Sequence, residues 1–298
     1  MSNPAASFEP HRRRLLGLAY RMLGSMADAE DAVQETYLRW HGANRDKVSD
    51  PRAFLMTTTA RICLDMLTSA RARREEYVGP WLPEPVVDTA ALAPDSHTEL
   101  AEDLSIALLL TLERLSPLER AAFLLHDVFD FSFTEVAATL ERSEAACRQL
   151  AARAREHVRE VRPRGATAPP AHSGEIDAKH EQLLSAFVAA TRSGDLHALT
   201  NLLANDVRVV TDGGGKAAAA LNVLEGADRA SRFLVGAARK GWREDFTLRF
   251  AAINGLPGII VDGPEGPVQT TAFEIEGGVI RAVYAVRNPD KLRHLAAG

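Results

Sequence analysis

The sequence predicts a multidomain protein in which two all-α modules precede an α+β domain, and three observations lead to this prediction. Apolar residues recur at helical spacing through most of the chain up to residue 162. The stretch RPRGATAPPAHSG at 162–174 then has the composition of an interdomain linker. Beyond it, short alternating segments between glycine-bearing turns indicate an antiparallel sheet packed against helices.

The composition is that of a soluble globular protein. The 298 residues are enough for two or three domains, and 46% of them are hydrophobic and 25% charged. The net charge is −5 and the isoelectric point is near 6.0. Binding to nucleic acid would therefore have to depend on local basic patches and not on overall charge.

Cysteine usage and hydropathy argue against several classes of protein. Cys63 and Cys147 lie in apolar helical patterns, which favours reduced thiols and a cytoplasmic location over a disulfide framework. Neither has a second ligand at zinc spacing, so we expect no metal and no cofactor. Tyr20 and Arg21 interrupt the apolar residues after Arg12–Arg14, and no run reaches membrane-spanning length. We therefore expect no signal peptide and no membrane segment.

The first module, expected at 7–76, is predicted to contain three helices. One runs from Phe8 to Leu23 and ends at Gly24-Ser25, and the second, ADAEDAVQETYLRW, has an acidic first turn that suits the helix dipole. Asp50 is expected to cap a long third helix that begins with Pro51. The predicted inward face of this helix comprises Phe54, Thr58, Ile62 and Met66.

A basic cluster lies at the end of the third helix. Arg71, Arg73 and Arg74, with Arg61 upstream, form a positive patch within reach of a phosphate backbone. The alternative is a solvated helix end, where the helix dipole favours cations in any case.

The segment 77–98 between the modules contains the proline-rich stretch YVGPWLPEPVVD. Pro80, Pro83 and Pro85 hold it extended and exclude a helix or a central strand. Trp81 and Leu82 are therefore apolar residues that need a partner surface. A semi-rigid spacer would also account for the composition.

The second module, expected at 99–162, begins with a helix from Leu100 to Leu115 and then contains a helix-turn-helix pattern, SFTEVAATLERSEAACRQLAARAR. Ser132 and Glu135 form a capping box, and Ser143 caps a second helix soon after the first ends. The predicted buried stripe of this second helix comprises Ala146, Leu150, Cys147, Ala151 and Ala154. A basic face that could enter a major groove comprises Arg148, Arg153 and Arg155. An ordinary helical hairpin with a solvated charged face is the alternative.

The C-terminal domain, expected at 176–295 after a linker at 163–175, has a mixed pattern. Helices are predicted through Leu183–Val188, after Gly194-Asp195 and near Ala227–Arg239, with a strand at Val207–Val210. Four further strands should form a meander, at Phe246–Ile253, Gly258–Val261, Val268–Ile275 and Val279–Val286.

Several of these stretches resemble a known family. DAEDAVQETYLRW is similar to region 2 of bacterial sigma factors of the extracytoplasmic-function type, and LSPLERAAFLLHDVFDFSFTEVAATLERSEAACRQLAARAR resembles their region 4. WLPEP at 81–85, DGGGK at 212–216 and NPDKL at 288–292 match motifs of the subgroup that carries a C-terminal SnoaL-like domain, an α+β cone. The resemblance covers the chain from about Leu15 to Leu292.

The resemblance implies a transcription initiation factor. In this family region 2 binds core RNA polymerase and opens promoter DNA at the minus-ten element, region 4 reads the minus-thirty-five element, and the extra domain acts as a built-in regulator. The polymerase-binding residues implied are Asp28, Asp31, Gln34 and Glu35. The DNA-binding residues implied are Arg61, Arg71, Arg73, Arg74, Ser143, Arg148, Gln149, Arg153 and Arg155.

Promoter melting adds a hypothesis about the loop before the third helix. Phe54 is the only aromatic residue between 41 and 74, so few stacking platforms for single-stranded bases are present there. We therefore expect Asn44, Arg45 and Lys47 to help hold the extruded bases.

The helix-turn-helix departs from the family pattern at its turn. Many members have a glycine where this chain has Glu141 and Arg142. A left-handed residue at this turn would cost on the order of 1 kcal/mol.

The linker and the C-terminal domain are expected to dock and thereby to set the separation of the promoter-reading modules. The DGGGK turn would receive Trp81 at close backbone range, although the same glycines could bind an anion or form a plain turn. The regulatory residues expected are Trp81, Leu82, Pro83, Asp212, Gly213, Gly214, Gly215, Lys216, Asn288, Pro289 and Asp290.

Two other functions are compatible with the same residues: a helix-turn-helix regulator fused to a cyclase-like or hydrolytic enzyme, and a plain repressor with a ligand-sensing domain. Catalysis would require a carboxylate or histidine with a shifted pKa inside the cone. The predicted inward strand residues cannot transfer a proton, so we expect no enzyme, while a small-molecule ligand stays open. These residues are Phe246, Leu248, Phe250, Val283 and Ala285.

Overall fold

The computed structural model describes residues 4–87, 92, 104–161 and 176–297, which fold into two compact units. The described residues of 1–75 and 89–171 form the helical unit, and those of 76–88 and 172–298 form the C-terminal unit. The segment 76–87 therefore packs with the C-terminal unit although it directly follows the third helix in sequence. The predicted linker 163–175 lies outside the described residues.

Three helices open the helical unit at the predicted places: α1 (Pro4–Leu23), α2 (Met26–Gly42) and α3 (Pro51–Glu75). The Ser25 hydroxyl accepts a hydrogen bond of 3.1 Å from the Asp28 N–H. Likewise, the Asp50 carboxylate accepts one of 3.0 Å from the Ala53 N–H. These caps fix where α2 and α3 begin.

The buried face of α3 is rotated by one residue from the prediction. Because α3 packs against both α1 and α2, this face is broader than a single stripe. Of the four predicted inward residues only Ile62 is fully buried, and Phe54 is half-buried with its ring centroid 5.5 Å from that of Trp40. The fully buried residues of α3 that the structure describes are Leu55, Met56, Thr59, Ala60, Ile62, Cys63 and Leu67.

The rest of the helical unit comprises α4 (Ile106–Arg114), α5 (Pro117–Phe123), a π-helical stretch (Leu124–Val128), α6 (Phe133–Leu140) and α7 (Glu144–Val161). A capping box begins α5 and another begins α6, each built from a serine and the glutamate three residues later. The prediction of a helix-turn-helix is confirmed. Within the described residues, α4 begins later than predicted because Ser105 caps it.

The predicted buried stripe of α7 is confirmed at Cys147, Ala151 and Ala154 but not at Ala146 and Leu150. Ala146 and Leu150 are only half-buried. The fully buried residues are Cys147, Ala151, Ala154 and Val158. This stripe faces α4, α5 and α6, which leaves the opposite side of α7 exposed.

The C-terminal unit is α+β, as predicted. Three helices, α8 (Ala178–Ser193), α9 (Leu196–Leu202) and α10 (Ala227–Gly241), pack against a sheet of order β2-β1-β6-β5-β4-β3. The strands are β1 (Leu203–Asp212), β2 (Leu224–Glu225), β3 (Thr247–Ile253), β4 (Leu256–Gly263), β5 (Gly266–Glu276) and β6 (Val279–Val286).

The sheet confirms the antiparallel meander and adds two features that were not predicted. Strands β3 to β6 pair antiparallel in sequence order, whereas β1 pairs in parallel with β6 and antiparallel with the short β2. Strand β1 therefore joins the sheet through a long-range contact, which places its last residue, Asp212, beside Val286. Within the part of the chain that is described, no helix combines the length and apolarity needed to cross a membrane.

Candidate functional site

The helix-turn-helix presents an exposed polar face on α7. The turn is made by Glu141, which adopts the left-handed conformation at φ 56° and ψ 47°. Ser143 caps α7 by accepting a hydrogen bond of 3.2 Å from the Ala146 N–H. Arg148, Gln149 and Arg153 all lie on the exposed side. The local sequence therefore holds these three side chains where a ligand could reach them.

The predicted arginines of α7 have different contacts. Arg148 pairs with Glu144 at 2.8 Å, and its guanidinium lies 5.2 Å from the Phe133 ring centroid. Arg153 remains 66% exposed and lies 4.0 Å from Glu119. Arg155 is held against the helical unit, because its Nε donates to Asp127 at 2.7 Å and its side chain is only 31% exposed.

Arg61, predicted to contact DNA, binds the end of α6. Its Nε and Nη2 donate to the carbonyl oxygens of Thr139 and Ala138 at 3.0 and 2.9 Å. Its Nη2 also lies 3.2 Å from a Glu141 carboxylate oxygen. Arg61 thereby binds two carbonyls left unpaired at the C-terminus of α6. The side chains of Arg71, Arg73 and Arg74 lie outside those described.

The remaining predicted contact residues of the helical unit are on its surface. A 3₁₀ turn, Arg45–Lys47, follows α2, with Asn44 and Lys47 exposed and Arg45 half-buried. On α2, Asp31 and Gln34 are exposed, and Glu35 pairs with Arg39 at 3.1 Å. Asp28 is half-buried.

A second site lies inside the C-terminal unit, where residues 77–86 are held by side chains from the sheet and the C-terminal turns. We call this arrangement the linker seat and define it by Asp212, Asn254, Lys291 and His294. Asp212 is fully buried, and its carboxylate accepts from the Tyr77 hydroxyl at 2.5 Å and the Leu82 N–H at 2.8 Å. Burial, followed by this hydrogen bond, raises the pKa of Tyr77.

Lys291 supplies the counter-charge for Asp212. Its Nζ lies 2.8 Å from the carboxylate and donates to the Leu82 carbonyl at 2.5 Å. The same ammonium lies 4.2 Å from the Trp81 ring centroid and 4.9 Å from that of Tyr77. Only 8% of the Lys291 side chain is exposed, so little of its charge is stabilised by water.

The C-terminal end of the segment 77–86 is held by Asn254 and His294. Asn254 forms two hydrogen bonds with Val86. The side-chain Oδ1 of Asn254 accepts from the Val86 N–H at 3.1 Å, and the backbone N–H of Asn254 donates to the Val86 carbonyl at 2.7 Å. The ring Nε2 of His294 lies 2.7 Å from the Pro85 carbonyl oxygen. Leu82 and Val86 are fully buried in this arrangement.

The DGGGK turn takes part in the linker seat, but not in the way that was expected. A Cβ added to Gly214 would lie 2.8 Å from the Tyr77 hydroxyl oxygen, and one added to Gly215 would lie 3.3 Å from Val78. Both glycines have positive φ, 56° and 71°. The closest linker groups are therefore those of Tyr77 and Val78, whereas Trp81 stacks on Lys291.

The two C-terminal motifs meet at the same place. Asn288 donates to the Tyr77 hydroxyl at 2.8 Å, and Lys216 forms a surface ion pair with Asp290. This ion pair holds the pKa of Asp290 below its usual range. The preceding residue, Pro289, is exposed.

Sequence reasoning missed four residues of this site: Tyr77, Asn254, Lys291 and His294. The signals were present for two of them. Lys291 belongs to the NPDKL motif, and Asn254-Gly255 is the residue pair of a tight hairpin turn. Asn254 has a φ of 51°, so its amide is directed by an unusual backbone conformation that the turn requires.

The C-terminal unit also contains a cavity of about 520 Å³ between α8, α10 and the sheet. Phe246, Leu248, Val283 and Ala285 line it as predicted, whereas Phe250 lines a shallower depression beside α8. The lining residues include no aspartate, glutamate or histidine. Among the described residues, no cluster of three or more such groups or cysteines could hold a metal ion.

Comparison with known proteins extends over almost the whole chain. Residues 8–73 match the family described as Sigma-70 region 2, and residues 105–158 match Sigma-70, region 4. The chain is 41% identical to the ECF RNA polymerase sigma factor SigJ of Mycobacterium tuberculosis, in an alignment that covers 96% of this chain and 92% of that protein. The chain belongs to the extracytoplasmic-function (ECF) RNA polymerase sigma factors.

Two further comparisons support this membership. A probable ECF RNA polymerase sigma factor of Mycobacterium tuberculosis, SigI, is 31% identical to this chain, in an alignment that covers 98% of this chain and 96% of SigI. The crystal structure of Mycobacterium tuberculosis SigJ superposes with a TM-score of 0.70 at 37% identity, covering 96% of this chain and 97% of that one. The likeness includes the C-terminal α+β unit. The predicted family and its SnoaL-like subgroup are confirmed.

Proposed function

We propose that this ECF sigma factor binds core RNA polymerase and directs it to specific promoters. In this proposal α3 acts at the minus-ten element, α7 reads the minus-thirty-five element, and the acidic face of α2 contacts the polymerase. The whole-chain likeness to SigJ carries the proposal. The exposed side of α7, with Arg148, Gln149 and Arg153, supports it.

Run-off transcription with purified core polymerase tests this proposal. A promoter-specific transcript should require both the polymerase and this chain. Replacing Arg148 and Arg153 by alanine should lower the yield at least about tenfold, since a well-placed arginine on a base edge is worth about 1–3 kcal/mol. Arg159→Ala is the matched control, because Arg159 is exposed near the C-terminal end of α7, beyond Arg148 and Arg153. Failure of core polymerase to retain the wild-type chain in a pull-down would contradict the proposal.

We propose that the C-terminal unit regulates the two promoter-reading modules by holding the connection between them. Region 2 ends with α3 at Glu75, and α4 of region 4 begins at Ile106. Twelve residues of this connection, 76–87, belong to the C-terminal unit. Seating them shortens the length of chain left to connect the two modules, which limits the arrangements open to modules that must bind one promoter together.

Comparing the full chain with a chain that ends near Arg164 tests this regulatory role. Both should support transcription, but their yields on promoters with different spacing between the two elements should differ. The full-length variant Trp81→Ala, which removes the ring stacked on Lys291, should shift the yields towards those of the shortened chain. Identical spacing dependence for all three proteins would exclude the role.

We propose that this chain is not an enzyme. General acid–base catalysis most often uses an imidazole or a carboxylate, and the lining of the cavity contains neither. A test is incubation of the full chain with epoxide and ester substrates, for which no turnover above the uncatalysed rate is expected.

A further inference from the structure

The cavity of the C-terminal unit has chemistry that the proposed function does not use. Its body is apolar and aromatic, with Phe187, Phe273, Ile259 and Val283 among the lining residues. A volume of about 520 Å³ lies within the usual range for small-molecule sites.

The charged side chains that line this cavity are all basic. Arg192, Arg232, Lys240 and Arg287 are lining residues, and no acidic residue is among them. Arg232 is turned towards the surface, where it pairs with Asp228 at 2.9 Å. Arg192 covers the Trp242 ring, with its guanidinium carbon 4.4 Å from the ring centroid. The cavity is therefore electropositive in an otherwise anionic protein.

Arg287 is the cation best placed to bind a ligand. It follows β6 and is half-buried. Its Nη1 donates to the Ala218 carbonyl at 2.6 Å, but its buried Nε donates to no group among the described residues. Nor does the guanidinium form an ion pair within the described part of the chain. Burial lowers the pKa of Arg287, as expected where no counter-ion offsets the loss of hydration.

We propose that this cavity binds a compact apolar monoanion, such as an aromatic carboxylate, with its acid group on Arg287 and its ring among the aromatic side chains. An anion would supply the missing counter-charge, and arginine presents a planar fork suited to carboxylates. A neutral ligand of the same shape would gain the apolar contacts but would leave the guanidinium unpaired.

The cavity adjoins residues of the linker seat, so a bound ligand could affect that seat. Thr211 and Ala218, which line the cavity, flank the DGGGK turn on either side. The backbone N–H of Arg287 also donates to the Asp212 carbonyl at 2.7 Å. The binding claim itself does not depend on this route and goes beyond the proposed function, which requires no ligand.

Isothermal titration of the full chain with naphthoate and with its neutral analogue naphthamide tests the proposal. We expect the acid to bind at least tenfold more tightly than the amide in the wild-type chain. Arg287→Gln should remove this preference while leaving the weaker binding of the amide in place. Arg281→Gln is the matched control, since Arg281 lies on β6, just before Arg287 in the chain, does not line the cavity, and pairs with Asp206 and Glu276.

Equal binding of acid and amide, absence of binding by both, or a preference that survives Arg287→Gln would overturn the proposal. The comparison in the wild-type chain needs no substitution and decides the question even if Arg287→Gln does not fold. Promoter-specific transcription by the wild-type chain, measured separately, shows whether the proposed sigma function stands independently of the ligand site.

Discussion

Lys291 and Asp212 form a buried ion pair between groups far apart in sequence. Their side chains are 8% and 0% exposed. Removing one partner of such a pair leaves a buried charge uncompensated, which is far more costly than the net value of the pair. The pair therefore makes the linker seat sensitive to single substitutions.

Lys291→Met is expected to destabilise the C-terminal unit by about 3–5 kcal/mol, because Asp212 keeps its burial and loses its counter-charge. Urea unfolding of the full chain measures this loss. Lys216→Met is the matched control and should cost under about 1 kcal/mol, since its pair with Asp290 is on the surface. Similar losses for both variants would contradict the assigned importance of Lys291.

Tyr77 should give the seat a defined dependence on pH. Burial and the bond to Asp212 raise its pKa in the folded chain, whereas the unfolded tyrosine loses its proton near about pH 10. The contribution of Tyr77 to stability is therefore complete below about pH 10 and is lost as the pH rises beyond it.

The stability advantage of wild type over Tyr77→Phe should accordingly be constant from about pH 7 to about pH 9 and should shrink above about pH 10. Denaturant titrations of both proteins across this range provide the measurement. The pKa of Tyr284 is also raised, but this residue is present in both chains and cancels in the difference. An advantage that grows with pH would be inconsistent with the Tyr77–Asp212 bond.

The turn of the helix-turn-helix places a non-glycine residue, Glu141, in a strained backbone conformation. Glu141 has a left-handed backbone conformation, which costs about 1–2 kcal/mol in the folded chain. Glycine would remove this strain, but it would also make the unfolded chain more flexible, which lowers the free energy of unfolding by about 0.4–1 kcal/mol. Glu141→Gly should therefore stabilise the helical unit by roughly 0.5–1 kcal/mol in thermal unfolding. Arg142→Gly, at the adjacent position where φ is not positive, should bring no gain.

Local signals made most helices predictable. Ser25, Ser132 and Ser143 cap helices through bonds that span only three residues, so a short stretch of sequence contains the whole cause. The predicted face of α3 was wrong by one residue and that of α7 was wrong at Ala146 and Leu150, because the neighbouring helices decide which side is buried. The parallel pairing of β1 with β6 was missed for the same reason, since nothing near β1 specifies a partner some seventy residues away.

The site residues also divide into those predictable from local sequence and those positioned by long-range contacts. The exposed arginines of α7 follow from helical periodicity, and the linker motifs were identified by resemblance. The contact of Arg61 with the end of α6, 78 residues away, could not be read from either segment alone. The same holds for the bond between Asn254 and Val86, which joins residues 168 apart.

At the scale of the whole molecule, the linker seat ties the segment after α3 to the C-terminal unit. Asp212→Asn places a neutral amide among the donors from Leu82 and Lys291, so the segment should be released. Chymotrypsin should then cut after Tyr77 or Trp81 in the full-length variant and leave these bonds largely intact in wild type. Asp290→Asn changes only surface ion pairs, with Lys216 and Arg293, and should stay resistant, whereas equal cleavage of all three proteins would show that the seat does not protect the segment.

The separation of Leu82 from Lys291 by 209 residues has a consequence for biosynthesis. A ribosome adding about 5–20 residues per second needs roughly 10–40 seconds to pass from one to the other. Because region 4 ends with α7 at Val161, the nascent polypeptide contains both modules for the later part of that interval, but not yet Lys291, which holds the segment between them. Each newly made molecule therefore passes through a period in which the segment after α3 is not yet held by the C-terminal unit.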